Sequence, residues 1–268
     1  MLAIIGGTGL TRLSTLAVAH REVIRTPYGE PSAALVVGEL AGRRATFLAR
    51  HGHGHTIPPH RVNYRANLWA LKQQGATAVL AVASVGAIRG AAPGDLVLPH
   101  QLIDYTWGRA QTFFDGNGAQ VVHADFTRPY SDELRAICLA AARESGIALA
   151  DGGVYAAVSG PRLETAAEID RMDRDGATLV GMTGMPEAGL ARELGLDYAS
   201  VCVVVNHAAG RGDSTAQVSL EGIARVLETA MDGVRNLLEH VIVRIPAQPS
   251  GTGRGEAPDP APHGRGER

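Results

Sequence analysis

The sequence predicts an α/β fold with a single domain, in which helices flank a mixed central β-sheet. Short apolar runs of strand length alternate along the chain with segments of helical periodicity. Several runs are unbroken, as in a sheet that is covered on both faces. No internal repeat and no internal linker divides the chain, which favours one domain over two.

Eight apolar runs are predicted to be strands because they are short, rich in Ala, Val, Leu or Ile, and bounded by turn residues. They span residues 2–5, 34–40, 45–49, 78–85, 96–103, 154–158, 178–182 and 198–205.

Helical segments with recognisable ends lie between the strands. Ser131 is a predicted N-cap, acidic residues follow it in the first turn, and Gly146 ends that helix. Pro186 can open a helix that Gly195 closes. Further helices are predicted after Pro58-Pro59, over residues 164–175, and over residues 219–241.

The last segment, residues 246–268, has a different composition from the rest of the chain. It contains Pro, Gly, Ala and charged residues but no Ile, Leu, Val or aromatic residue. Such a segment buries too little apolar surface to offset the entropy of ordering. We therefore predict one folded domain over residues 1–245 and a disordered Pro/Gly-rich tail over residues 246–268.

Composition and charge restrict the class of partner. The chain has 45% hydrophobic and 19% charged residues, a net charge of −2, and no run of Lys or Arg. A nucleic-acid or membrane-surface partner is therefore not expected, and small molecules are favoured. Cys138 and Cys202 lie in apolar runs, as reduced thiols of a cytoplasmic protein do. The start of the sequence has neither a basic segment nor a long apolar stretch, so we expect no signal peptide and no membrane span.

A glycine-rich turn, Gly6-Gly7-Thr8-Gly9, follows the first predicted strand. Backbone N–H groups in such a turn can approach an anion closely, and Thr8 adds a hydroxyl. The turn matches neither the G-x-G-x-x-G fingerprint nor a Walker loop. Taken alone, the segment is equally consistent with a tight turn that binds no ligand.

A histidine-rich segment, Arg50-His51-Gly52-His53-Gly54-His55, follows the strand over residues 45–49. The histidines suggest a metal site, but no carboxylate lies near them in the sequence. Arg50 would repel a divalent cation, whereas its guanidinium matches the geometry of phosphate. Anion binding is favoured over metal binding, and both hypotheses stay open.

Polar residues also follow three later strands. Glu164 lies beyond the strand over residues 154–158, Thr183 follows the next strand, and Asn206 follows the last. Glu164 is equally explained as a helix-start acid, and Asn206 as a turn former. Their recurrence matters because ligands of open α/β sheets bind outside the carboxyl ends of strands.

Taken together, these segments resemble the trimeric purine nucleoside phosphorylase family, in its methylthioadenosine/methylthioinosine phosphorylase branch. The resemblance extends from residue 1 to about residue 244. It is carried by Gly6-Gly7-Thr8-Gly9-Leu10, Arg50-His51-Gly52, Val62-Asn63-Tyr64-Arg65-Ala66-Asn67, Gly160-Pro161-Arg162, and Gly181-Met182-Thr183 before Pro186-Glu187.

The resemblance implies a homotrimer with active sites at the subunit interfaces, inorganic phosphate as co-substrate, and neither cofactor nor metal. Ala83 stands where a hydroxyl residue is usual, so only Ser84 supplies a side-chain donor there. Met182 would contact the ribose, and His123 would reach the 5′ end of the nucleoside from the neighbouring subunit. The implied phosphate ligands are Thr8, Arg50, His51, Ser84 and Thr183, with His55 nearby; the implied substrate contacts also include Leu163, Glu164, Asn206, His207, Ala208 and Leu220.

Two positions distinguish which purine is bound. Asn206 and Ala208 stand where adenine-binding relatives carry aspartates, and Glu164 matches the glutamate of 6-oxopurine enzymes. An ionised Glu accepts from N1–H of hypoxanthine, and an Asn amide can donate to O6 and accept from N7–H. A site built on such pairing rejects the mismatched purine strongly. We therefore expect a 6-oxopurine substrate, with Glu164 and Asn206 as the catalytic residues.

Leu220 distinguishes the 5′ group. Inosine phosphorylases place a histidine near the 5′-hydroxyl, whereas an apolar residue at this position suits a methylthio group. The expected reaction is phosphorolysis of S-methyl-5′-thioinosine. Open alternatives are a methylthioadenosine phosphorylase, a broad inosine/guanosine phosphorylase, a metallohydrolase built on His51, His53 and His55, and a non-catalytic purine-binding protein.

Overall fold

A computed structural model describes residues 1–115 and 121–246 of the chain. The segment predicted to be a disordered tail lies, apart from its first residue, outside the described residues. The described part contains one 11-stranded mixed sheet. Its strands are β1 (Leu2–Gly6), β2 (Ala17–Glu22), β3 (Leu35–Leu40), β4 (Arg43–Ala49), β5 (Ala78–Ala87), β6 (Leu96–Leu98), β7 (Gln101–Asp104), β8 (Leu149–Asp151), β9 (Val154–Ala157), β10 (Leu179–Gly181) and β11 (Asp197–His207).

Strand β5 lies at the centre of the sheet. It pairs in parallel with β1 and β11 and in antiparallel with β10. Beyond β1 the order continues through β4 and β3 to β2, and beyond β10 through β9 to β7. Strand β11 also pairs with β6, which pairs with β8. Strands β1, β4, β5 and β11 therefore end at the same edge of the sheet.

Helices cover both faces of this sheet. In β1, Leu2 and Ile4 join one apolar cluster with residues of α2 and α5, whereas Ala3 and Ile5 join another with residues of α1 and α4. Alternate side chains of a strand point to opposite faces, so β1 is buried on both sides. The helices are α1 (Tyr64–Gln73), α2 (Asp132–Ser145), α3 (Ala166–Arg174), α4 (Gly184–Glu193) and α5 (Leu220–Arg244), with 3₁₀ turns at Pro59–Arg61 and Gly212–Ser214.

The predicted fold class is confirmed, and so are most helix ends. Ser131 Oγ accepts a hydrogen bond from the Leu134 N–H at 3.2 Å, and Gly146 is left-handed at φ 68°. The helix predicted over residues 164–175 begins at Ala166 instead, because the side chain of Thr165 caps its first turn. None of the described helices has both the length and the apolar character needed to cross a membrane.

Three predictions about strands were wrong or incomplete. The strand expected over residues 96–103 is divided into β6 and β7 at Pro99, whose nitrogen cannot donate to a ladder. Strand β2 was not predicted because all but one of its residues are exposed, so it carries no apolar pattern. Strand β8 was missed because it is short and mostly exposed.

Candidate active site

The glycine-rich turn and the histidine-rich segment lie side by side because β1 pairs with β4. Gly6 pairs with Ala49, and the Arg50 N–H donates to the Gly6 carbonyl at 2.9 Å. A Cβ on Gly7 would lie 2.7 Å from the Val82 carbonyl oxygen and 2.8 Å from Arg50 Nη1. The turn after β1 therefore requires glycine at position 7, since any side chain would displace backbone or guanidinium.

Arg50 lies beneath this turn, in a buried ion pair that the sequence did not predict. Its Nε and Nη2 donate to the two carboxylate oxygens of Glu187, each at 2.7 Å, and its Nη1 donates to the Val82 carbonyl at 3.0 Å. The side chains of Arg50 and Glu187 are 1% and 0% exposed. Glu187 also accepts from the Tyr198 hydroxyl at 2.8 Å. The charge of Arg50 is therefore balanced within the protein.

The guanidinium keeps some capacity to donate. Arginine has five N–H groups, and three of those of Arg50 have the partners just described. The other two have no hydrogen-bond partner among residues 1–115 and 121–246. The arrangement leaves Arg50 able to bind an anion while Glu187 fixes its orientation.

His51 and His55 stack on each other, and His55 contacts the glycine-rich turn. His51 Nδ1 donates to the Ile57 carbonyl at 2.8 Å, and His55 Nε2 lies 2.8 Å from Thr8 Oγ1. The two rings stack with their centroids 4.6 Å apart. Burial and the neighbouring Arg50 lower the pKa of His51 to about 4, so this imidazole is neutral at pH 7.

His53 is exposed, as is His55. Within the described part of the chain, no three His, Cys, Asp or Glu side chains are grouped so that they could hold a metal ion. The bond between His55 and Thr8 connects this segment to the glycine-rich turn.

Two hydroxyl residues complete the anion-binding end of the site. Ser84 Oγ, on β5, donates to the Thr8 carbonyl at 3.2 Å, so Ser84 also contacts the turn. Thr183 precedes α4, four residues before the glutamate that holds Arg50. Its N–H donates to the Tyr155 hydroxyl oxygen at 3.3 Å. The N–H groups of Thr8, Gly9 and His51 have no hydrogen-bond partner among the described residues, so this end of the site offers several donors.

Glu164 lies in the connection between β9 and α3 as a half-buried acid. Burial raises the pKa of its carboxyl group. The nearby Arg162 does not pair with it, because both Arg162 terminal nitrogens donate to Glu168 at 2.7 and 2.8 Å. The carboxylate of Glu164 has no ion-pair partner among the residues that the structure describes.

The end of β11 holds the remaining candidate for base recognition. The β5–β11 register shifts between Val204 and Asn206, which places Asn206 beside Gly86. Asn206 Nδ2 donates to the His207 carbonyl at 2.6 Å, and in the described part of the chain its Oδ1 has no partner. His207 Nδ1 bonds to Asp213 at 2.8 Å. Ala208 is only 1% exposed and packs in an apolar cluster, so its side chain offers little surface to a ligand.

The other predicted contacts differ in exposure. Met182 packs against Gly160, where an added Cβ would lie 2.4 Å from its sulfur. Leu163 is partly exposed, and Leu220, the first residue of α5, is 72% exposed. His123 is exposed in the segment before α2. In a single chain, Leu220 and His123 therefore face solvent.

Two residues important for the site gave no usable sequence signal. Glu187 was part of a motif, but nothing in the sequence indicated that it pairs with Arg50, 137 positions away. Arg109 donates to backbone carbonyls after β9 and β10. Carbonyl partners leave no pattern of residue types, so spacing or composition could not have identified Arg109.

Comparison with known proteins gives a consistent set of similarities. The family described as the phosphorylase superfamily matches residues 1–243. A protein of Pseudomonas syringae pv. tomato named "Probable S-methyl-5'-thioinosine phosphorylase" is 53% identical over 241 residues, covering 90% of this chain and 97% of that protein. A Xanthomonas campestris pv. campestris protein of the same name is 52% identical over 238 residues, covering 88% and 95%.

A solved structure also resembles the chain. Methylthioadenosine phosphorylase from Schistosoma mansoni in complex with adenine superposes with a TM-score of 0.85. It is 32% identical in sequence, and the match covers 90% of each chain.

Proposed function

The chain belongs to the phosphorylase superfamily and is a nucleoside phosphorylase, and from that premise we propose that it cleaves S-methyl-5′-thioinosine with inorganic phosphate. The products are hypoxanthine and 5-methylthioribose 1-phosphate. The observation that carries the choice of substrate is Glu164, a half-buried carboxylate without an ion-pair partner among the described residues. The relatives at 52% and 53% identity carry the same substrate in their names.

Phosphate binds at the turn after β1. Its oxygens accept from the free N–H groups of Arg50, from the hydroxyls of Thr8 and Thr183, from that of Ser84 once it has turned away from the Thr8 carbonyl, and from backbone N–H groups. Because Glu187 balances Arg50 and His51 is neutral, hydrogen bonds supply much of the binding. Binding by fixed donors also orients the phosphate for attack.

The base binds between Glu164 and Asn206. The Glu164 carboxylate accepts from N1–H of hypoxanthine, and the Asn206 amide pairs with O6 and N7. Adenine has a lone pair at N1 and would leave the carboxylate of Glu164 facing it without a proton. This pairing selects a 6-oxopurine over a 6-aminopurine.

The reaction follows from phosphate and base bound in these two positions. The C1′–N9 bond breaks and both of its electrons leave with the base, so the sugar becomes oxocarbenium-like and the base becomes anionic. A phosphate oxygen then forms the new bond to C1′, and the anionic base takes a proton from water at N7 to leave as neutral hypoxanthine. Glu164 and Asn206 stabilise the departing base through hydrogen bonds that are made in the transition state. The step requires no protein nucleophile, no metal and no cofactor.

The 5′-methylthio group binds to apolar side chains and to a second subunit. Met182 contacts the ribose, and Leu163 and Leu220 surround the thioether. His123 enters from a neighbouring copy in a homotrimer, which accounts for the exposure of His123 and Leu220 in one chain. Both cysteines of the chain are free and buried, which supports a cytoplasmic location.

A methylthioadenosine phosphorylase is the second candidate, because the similar structure from S. mansoni binds adenine. The two functions differ in the base alone. The decisive experiment measures release of base from methylthioinosine, methylthioadenosine and inosine, each with and without phosphate. We expect phosphate-dependent cleavage with the highest kcat/KM for methylthioinosine.

Other outcomes would identify the alternatives. Faster cleavage of methylthioadenosine would assign the chain to the adenine branch, and equal rates with inosine would indicate a broad phosphorylase. Cleavage that needs no phosphate and is abolished by a chelator would support a metallohydrolase. Binding of hypoxanthine without cleavage of any nucleoside would indicate a binding protein.

A further inference from the structure

Arg109, which lies after β7, joins the ends of two strands that lead into the site. Its Nη2 donates to the carbonyls of Ser159 and Met182, both at 2.9 Å. Its Nη1 donates to the carbonyl of Met185. Ser159 begins the connection from β9 toward Glu164. Met182 and Met185 flank Thr183 in the connection from β10 to α4.

The guanidinium of Arg109 is held in place from a third direction. It stacks over the ring of Tyr64 with 5.3 Å between Cζ and the ring centroid, and Tyr64 in turn donates to the Pro59 carbonyl at 3.0 Å. Stacking of this kind orients the planar group and adds a cation–π attraction. Arg109 is thus fixed by the start of α1 and holds two other segments.

The partners of Arg109 differ from those of Arg50. Arg50 pairs with a carboxylate, whereas no carboxylate contacts Arg109 in residues 1–115 and 121–246. Its Nε is buried without a partner in the same part of the chain. The positive charge is stabilised there by carbonyl dipoles that converge from two separate segments. Removal of the side chain would leave those carbonyls unsatisfied, so the segments would separate.

We propose that Arg109 is a positioning residue that sets the distance between the base-binding connection and the connection carrying Met182 and Thr183. The inference rests on the proposed function, which places purine, ribose and phosphate along these two connections. Arg109 itself touches none of the reacting atoms. Its role is to place the departing base and the attacking phosphate on opposite sides of C1′.

A misplacement of about 1 Å in such a geometry can cost on the order of 100-fold in rate. Arg109→Met keeps the length of the side chain but removes every donor. We expect kcat to fall by about 100-fold with this variant, while KM for phosphate and nucleoside changes by less than about 10-fold. Arg109→Lys keeps the charge and part of the donor capacity, so its kcat should lie between those of the unsubstituted protein and Arg109→Met.

Arg65→Met is the matched control. Arg65 also stacks on a tyrosine, 5.0 Å from the ring centroid of Tyr28, and donates to the Thr112 carbonyl at 3.4 Å. It differs from Arg109 in also pairing with a carboxylate, that of Asp115. It contacts neither of the two site connections among the described residues. Its loss should lower the Tm without the selective loss of kcat.

Rescue with guanidinium distinguishes positioning from general instability. Arg109→Ala leaves a space lined by the same carbonyls, so guanidinium at low millimolar concentration should restore part of kcat, and urea at the same concentration should not. A full kcat in Arg109→Met, or a loss that parallels the change in Tm and is not rescued, would overturn the proposal. Failure of the proposed function is recognised separately, because the unsubstituted protein would then cleave no nucleoside.

Discussion

At the scale of single residues, the charge of Arg50 at the proposed phosphate site is balanced within the protein itself. Arg50 and Glu187 are both fully buried and bonded through two parallel N–H···O contacts. Two charges in such a position stabilise each other, but each is costly to leave alone. Glu187 therefore holds a charged arginine, the proposed phosphate ligand, in the interior.

Removal of either partner should destabilise the protein more than removal of both. We expect Glu187→Gln to lower the free energy of unfolding by about 3 kcal/mol because the Arg50 charge stays buried, whereas the double variant Arg50→Met/Glu187→Leu recovers most of it. Urea unfolding measures these values. Asp132→Asn, at an exposed pair with Arg128, is the control and should change stability by less than about 1 kcal/mol. Equal loss in the single and double variants would contradict this account.

Glu164 predicts a pH dependence of activity. Burial raises its pKa, and only the ionised carboxylate accepts from N1–H, so kcat/KM should fall with decreasing pH at a higher pH than for an ordinary glutamate. In Glu164→Gln we expect this acid limb to disappear and kcat/KM for methylthioinosine at pH 7 to fall at least about 10-fold.

The stability of Glu164→Gln provides a second check, because the ionised carboxylate should favour activity but disfavour folding. A carboxyl group whose folded pKa is raised contributes stability below its unfolded pKa, and that contribution is lost as pH rises through the folded pKa. Gln is neutral throughout, so Glu164→Gln should be at least as stable as the parent at pH 7. Full activity of the variant, or an unchanged acid limb, would show that Glu164 does not bind the base.

At the scale of elements, the start of α3 connects stability to base recognition. Thr165 Oγ1 accepts from the Glu168 N–H at 3.1 Å, and Glu168 accepts from the Thr165 N–H at 2.8 Å. This capping box fixes the chain immediately after Glu164. The sequence-based prediction began the helix at Glu164 and so missed that the acid lies outside the helix, free to face a ligand.

Thr165→Ala should remove half of the capping box. We expect it to lower the free energy of unfolding by about 1 kcal/mol, and Thr165→Ser, which keeps the hydroxyl, to change it by much less. Circular dichroism during urea unfolding measures the difference. KM for methylthioinosine should rise in the Ala variant alone, because the backbone that carries Glu164 loses its anchor. If KM for methylthioinosine were equal in both variants, the Thr165 cap would not influence binding by Glu164.

The sequence predicted those elements whose apolar residues carry the structure. Buried strands such as β1 and β5 and the capped helix α2 were predicted because burial leaves an apolar pattern and capping requires specific residue types. The exposed strand β2 leaves no such pattern. At the site, the residues at strand ends were predicted, but their partners Glu187 and Arg109 depend on contacts far apart in the sequence.

At the scale of the whole molecule, the proposed function builds each site from two chains, with Glu164 and His123 supplied by different subunits of the proposed homotrimer. Glu164→Gln and His123→Ala should each impair every site of their own trimers. In a cyclic trimer that contains both variants, one of the three sites combines an intact Glu164 with an intact His123 from the neighbour, whichever variant is present twice. We expect activity above that of either variant.

The matched control uses two residues assigned to the same subunit. Glu164→Gln mixed with Asn206→Ala leaves every chain with one defect in its own base-binding end, so no site is complete and no activity should return. Both mixtures are prepared by co-expression with two different tags and purified through both, which selects mixed oligomers. Recovery in the first mixture alone places His123 across the interface. If neither mixture recovers, His123 acts within its own chain or not at all, and if no mixed oligomer forms, the homotrimer itself is excluded.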